Sequence, residues 1–136
     1  MADQTLTLTL TLASDLNELD STETFVDKIA DQIGCDEETR HHIMLVLTEA
    51  VTNAIVHGNK EHPDKSVTVK AHFSPGRVHL SVTDQGEGFD PQRIPHPLKE
   101  ENLLKSSGRG IWLMREYADG VHFTDSGRTV HLEFDV

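Results

Sequence analysis

Glu49 and Asn53 stand one helical turn apart inside EAVTNAIVHG, Glu49 to Gly58, a run whose other positions are mostly apolar. Residues four apart on a helix are displaced by only about 40° around its axis, so Glu49, Asn53 and His57 fall on one line. Ile43, Val46, Leu47, Ala50, Val51, Ala54 and Ile55 form the neighbouring apolar stripe, the side that turns toward a core. The polar line therefore borders the core. A solvated helix edge would account for such a line standing alone. It is followed, however, by VTDQGEGFDP, Val82 to Pro91, and by SSGRGIWLMREYAD, Ser106 to Asp119, each of which pairs glycines with a strand end or a helix start.

The remaining chain supplies the elements around these segments. TLTLTLTL, Thr5 to Leu12, has the period-2 alternation of a half-buried strand, which directs Leu6, Leu8, Leu10 and Leu12 to the core. Ser14 is placed to cap a first helix with Leu16, Leu19, Val26, Ile29 and Ile33 inward, Phe25 and Ala30 beside them, and Gly34 as its stop. Its outer face carries Asp15, Glu18, Glu23, Asp27 and Asp31. Asp36 opens a second helix expected to reach about Lys60, with Pro63 beyond it. Ser66 to Phe73 and Arg77 to Thr83 alternate as strands joined by Ser74-Pro75-Gly76, and Asp84 sits where the second strand stops. Pro91 to Ser107 reads as a loop with a short helix over Lys99 to Leu104. A third helix is expected from Gly110 to Asp119, with Gly108-Arg109-Gly110 leading into it and Trp112, Leu113 and Tyr117 in the core. Strands follow over Val121 to Thr124 and Thr129 to Phe134, around a turn at Asp125-Ser126-Gly127. This order does not alternate as parallel βαβ units, so it predicts an α+β fold with a mainly antiparallel sheet and helices on one face.

A chain of 136 residues, 36% of them hydrophobic, suits one domain spanning 1–136. Its 23 acidic and 12 basic residues give a formal net charge of −11, which argues against nucleic acid or an anionic membrane as partner. Neither a run of about 20 apolar residues nor a basic-then-apolar N-terminus is seen, so the expected location is the cytoplasm. The single Cys35 excludes intrachain disulfides and thiolate zinc sites. There is no Gly-x-x-x-x-Gly-Lys-Ser/Thr, and the histidines match no His-Glu-x-x-His pattern.

Taken in order, the helical Glu-x-x-x-Asn, then Asp-x-Gly-x-Gly, then Gly-x-Gly at a helix start, resemble the N, G1 and G2 boxes of the GHKL ATPase superfamily. The wording EAVTNAIVHGN with GRGIWLMR is most similar to bacterial anti-sigma-factor serine/threonine protein kinases. That resemblance implies a two-layer α/β sandwich binding ATP or ADP with Mg²⁺, in a family whose members are often homodimers. It implies that Asp84 accepts the adenine amino group, with Gly86 and Gly88 letting the backbone pass close to the base. Asn53 is implied as the Mg²⁺ ligand and Glu49 as the base for an attacking hydroxyl. Gly108 and Gly110 would let helix N–H groups approach phosphate oxygens, with Arg109, Lys105 or Arg93 as cationic contacts. His57 reads as a cap at the helix end. The activity so implied is phosphorylation of a STAS-type anti-sigma-factor antagonist, with a sigma factor held when unphosphorylated antagonist is scarce. The alternative is a nucleotide-gated binding module that sequesters a regulator without phosphoryl transfer.

Overall fold

The computed structural model describes residues 6–88 and 106–136, with side chains of the latter stretch from residue 110 onward. Arg93, Lys105 and the short helix expected over Lys99 to Leu104 lie outside the described residues. Strand β1, Leu6–Ala13, leads through a 3-10 turn, Leu16–Glu18, to α1, Leu19–Ile33, and α2, Glu37–Asn53. A π turn, Ala54–Gly58, extends α2, and β2, Ser66–Ser74, pairs with β3, Arg77–Thr83. Helix α3, Ser106–Tyr117, then precedes β4, Gly120–Thr124, and β5, Thr129–Asp135. The five strands form one sheet in the order β1-β2-β3-β5-β4, and every neighbouring pair is antiparallel.

Alternation along the strands separates the two faces of this sheet. Val67, Val69, Ala71 and Phe73 of β2, Val78, Leu80 and Val82 of β3, and Val130, Leu132 and Phe134 of β5 are buried, in one cluster with Val26 and Ile29 of α1, the α2 stripe and Met114 of α3. All seven residues of that stripe are buried, so the helix face read from the sequence is the one that packs.

Edges and ends depart from expectation. Burial rises along the edge strand β1 from Leu6, 41% exposed, to Leu12, 2% exposed; Leu8 and Leu10 lie between, against the core. Ser14 is not the cap of the first helix: it is buried and its hydroxyl donates to the Lys65 carbonyl, 2.7 Å away. Asp15 caps the 3-10 turn instead, accepting from the Asn17 amide, and that extra turn leaves Leu16 exposed. Helix α2 ends as an α-helix at Asn53 rather than near Lys60, and in the π turn the Asn59 amide donates to the Ala54 carbonyl five residues back, 2.8 Å away. His57 lies exposed in that turn. Helix α3 begins at Ser106, so Gly108-Arg109-Gly110 belongs to its first turns instead of preceding it. Among its described residues Gly110, Ile111 and Met114 are buried, Trp112 and Leu113 are half-buried, and Tyr117 is exposed, its ring 4.7 Å from that of His42.

On the face away from the helices, four histidines cross the sheet as a row. Ring centroids of His72 and His79 are 5.9 Å apart, those of His79 and His131 5.1 Å, and those of His131 and His122 4.5 Å. His79 Nε2 and His131 Nδ1 are hydrogen-bonded at 3.0 Å, the Thr7 hydroxyl bonds His72 Nδ1 at the outer end of the row, and the Thr124 hydroxyl bonds His131 Nε2 inside it. Among the described residues no group of three or more His, Cys, Asp or Glu is placed to hold a metal ion, and no helix is long and apolar enough to cross a membrane.

Candidate nucleotide site

Asp84 follows the last residue of β3, and its amide still bonds across to the residue before β5, donating to the Arg128 carbonyl at 2.9 Å. The chain then leaves the sheet, and its first turn is closed from within: the Gly86 amide donates to Asp84 Oδ1 at 2.8 Å, the local bond that Asp favours at turns. The π turn brings Gly58 against this carboxylate, so that a methyl group on Gly58 would overlap Asp84. A methyl on Gly86 would overlap the Gly58 carbonyl, and one on Gly88, at φ +83°, the Ser126 carbonyl. These glycines are required because backbone and carboxylate occupy the space a side chain would need.

The Asp84 carboxyl is half-buried, and that burial raises its pKa above the ordinary 3.8. The Gly86 amide, Arg128 and Lys65 act the other way, while the nearby Asp125 adds to the rise. A group in this environment is an acceptor when ionised and a donor when protonated.

Two side chains brace the loop from opposite sides. Asn59, 1% exposed, donates through Nδ2 to the Ser14 hydroxyl at 2.8 Å and to the Ser66 carbonyl at 2.9 Å. Its Oδ1 accepts from the Gln85 amide at 2.7 Å, and Gln85 Oε1 in turn accepts from the Ser66 amide at 2.7 Å. From the β4–β5 turn, Arg128 donates through Nε to the Gly86 carbonyl at 2.7 Å and through Nη2 to the Glu87 carbonyl at 3.2 Å.

At the other end of the site α3 packs on α2. A methyl on Gly110 would stand 2.8 Å from Asn53 Nδ2 and 3.1 Å from Glu49 Oε2, so the glycine of α3 lets both polar side chains of α2 reach its backbone. Asn53 Oδ1 is buried, with no hydrogen-bond partner among the described residues. Leaving an amide oxygen so costs about 1–3 kcal/mol, and a hard oxygen of this kind suits Mg²⁺ shared with phosphates.

Sequence reading placed Glu49, Asn53 and Gly110 together, and the structure brings them together. It placed Asp84, Gly86 and Gly88 on one loop, where they are. It missed Gly58, Asn59 and Arg128 as parts of the site. The first two lay in the quoted run EAVTNAIVHGN, and their signal was a helix pattern that breaks at Gly58. Arg128 is 42 residues from Gly86, and no local pattern ties the two.

Comparison with known proteins gives the family. A family model described as "Histidine kinase-like ATPase domain" matches residues 12–134. The chain is 38% identical over 96 residues to the anti-sigma F factor of Geobacillus stearothermophilus, covering 67% of this chain and 66% of the relative. It is 37% identical over 103 residues to that of Halalkalibacterium halodurans, covering 72% and 69%. A crystal structure of the RsbU and RsbW domains of a Mycobacterium tuberculosis protein superposes with a TM-score of 0.66 at 18% identity, covering 96% of this chain and 32% of that one; at that identity the likeness speaks for the fold. With a family model spanning nearly the whole chain and relatives sharing more than a third of the aligned residues, the chain belongs to the histidine kinase-like ATPase domain family.

Proposed function

We propose that this chain is an ATP-dependent serine/threonine protein kinase that acts as an anti-sigma factor, phosphorylating a STAS-type antagonist and holding a sigma factor when unphosphorylated antagonist is scarce. The observation that supports it most is the meeting of Glu49 and Asn53 at Gly110, one site end away from the half-buried Asp84. The names of its anti-sigma F factor relatives support the partner class.

Asp84, ionised, accepts the exocyclic amino group of adenine. Guanine presents a carbonyl at that position, which leaves the carboxylate without its donor, a loss that discriminates strongly. The first turn of α3 offers backbone N–H groups and the positive end of its dipole to the phosphates. Arg109 and Lys105 remain the proposed cationic contacts to them. Asn53 Oδ1 would hold Mg²⁺, which when bound offsets phosphate charge during transfer. Glu49 takes the proton of the attacking Ser or Thr hydroxyl as its oxygen bonds the γ-phosphorus and ADP leaves.

The test is incubation of the purified protein with labelled ATP, Mg²⁺ and a candidate STAS-type partner, followed by identification of the modified side chain. Phosphoserine or phosphothreonine on the partner is expected. Tight ATP-dependent association with no modification would replace the kinase by the nucleotide-gated binding module.

A further inference from the structure

Arg128 lies outside all three motifs and yet bonds two successive carbonyls of the loop that follows Asp84, at Gly86 and Glu87. Its own backbone carbonyl receives the Asp84 amide, so side chain and main chain together hold Asp84, Gly86 and Glu87. The turn that carries it packs on them as well, with the Ser126 carbonyl against Gly88. Asn59 fixes the opposite side of the loop through the Gln85 amide, but as a neutral amide it carries no charge toward Asp84. Arg128 does both, and its guanidinium counters the rise that burial imposes on the carboxyl.

The geometry points to Arg128 as the positioning residue of the base end: by holding the Gly86 and Glu87 carbonyls it fixes the loop behind Asp84 and sets discrimination between purine bases that present an amino group and those that present a carbonyl. The inference rests on the nucleotide reading given above.

Two physical effects combine. A fork of N–H donors on adjacent carbonyls restrains the loop as a single point contact would not. A cation beside a half-buried carboxyl also keeps it ionised, hence acceptor-only, to lower pH. Among the charged groups acting on Asp84, Lys65 works in the same direction as Arg128 and Asp125 against it; Gly58, which abuts the carboxyl, has no side chain to add. A protonated Asp84 can donate to a carbonyl, so loss of Arg128 should raise the pH below which selectivity fails.

The experiment uses the full chain with Arg128→Met and Arg128→Lys, and reads ADP and GDP affinities by calorimetry across pH, beside the carboxyl titration of Asp84 by NMR without nucleotide. Arg128→Met should lose about tenfold in the ADP-to-GDP affinity ratio at neutral pH and titrate Asp84 at higher pH than wild type. Arg128→Lys, keeping charge without the fork, should restore most of the titration but only part of the ratio. A wild-type ratio and an unshifted titration in Arg128→Met would overturn the assignment while leaving the nucleotide reading intact. Wild-type protein that binds neither nucleotide would sink that reading, and the role of Arg128 in base selection with it. Should Arg128→Met fail to fold, Arg128→Lys decides alone: an ADP-to-GDP ratio equal to wild type contradicts the role of the fork.

Discussion

At the proposed base end Asp84, Gln85, Gly86 and Glu87 are each bonded from within the fold, by the Gly86 amide, Asn59 and Arg128, while at the α2–α3 end the buried Asn53 Oδ1 finds no partner among the described residues. The first is finished before a ligand arrives; the second has an acceptor that a ligand would complete. Selection between bases needs a fixed acceptor, because a carboxylate free to turn away would tolerate the wrong base. Phosphoryl transfer needs groups aimed at charge that develops during the reaction, and those are satisfied when substrate is present. Substitutions at the two ends should therefore fail at different steps.

The largest effect is expected at the α2–α3 end. Glu49→Gln keeps the size and most hydrogen bonding of the side chain but removes the proposed base, so phosphoryl transfer should fall by about 10²–10⁴-fold with ATP affinity retained. Rapid-quench transfer beside a nucleotide titration reads the two steps separately. Transfer at the wild-type rate would remove Glu49 from that role.

Next is Gly110→Val, which places branched carbons where Asn53 Nδ2 and Glu49 Oε2 approach. ATP affinity should drop about tenfold more than adenosine affinity, since the displaced groups lie at the proposed phosphate end and not at Asp84. Equal losses in calorimetry would mean that the two ends are not separable.

A smaller effect is expected from the open face of the sheet, which lies apart from both ends. Burial holds His79 and His131 below the ordinary histidine value of 6.5, with the neighbouring imidazoles, His122 and for His79 also His72, adding to the fall and Glu133 opposing it. Depressed folded values mean that the unfolded chain takes up protons first. Stability should be fully present above about pH 6.5 and decline as pH falls below it toward the folded values. Thermal melts of the His79→Gln, His131→Gln double variant should show a flatter profile in that range, with ATP affinity at neutral pH unchanged. A profile as steep as wild type would assign the acid sensitivity elsewhere.

What was legible in the sequence follows the same division. Glu49, Asn53 and the seven-residue apolar stripe obey a helical period, and Val78, Leu80 and Val82 obey a strand period, so local pattern places them and Asp84 at once. The antiparallel sheet followed from element order, though the position of β5 between β3 and β4 did not, because pairing between distant strands leaves no local trace. Asn59 and Arg128 escaped for that reason: one acts across to Ser14, Ser66 and Gln85, the other across 42 residues to Gly86. The start of α3 was read four residues late because Gly108-Arg109-Gly110 was placed before the helix as its lead-in, whereas Gly110 sits within it, where close packing on Asn53 and Glu49 outweighs its low helix propensity. Ser14 was read as a cap from its type alone, and its burial against Lys65 depends on the sheet.

The central claim is that Asp84 is a half-buried carboxylate kept for adenine at the expense of stability, and Asp84→Asn tests it directly. A folded pKa above 3.8 means that the group's stabilising contribution is present below that pH and is lost as pH rises through the folded value. At neutral pH the ionised side chain is thus a burden that a neutral amide of the same shape relieves. Calorimetric ATP and GTP titrations, run beside melting curves of the ligand-free proteins, should find that wild type binds ATP far more tightly than GTP. The Asn variant should melt higher without ligand and bind ATP at least about tenfold more weakly. Equal wild-type affinities for ATP and GTP, or an Asn variant that binds ATP as wild type does, would contradict the account.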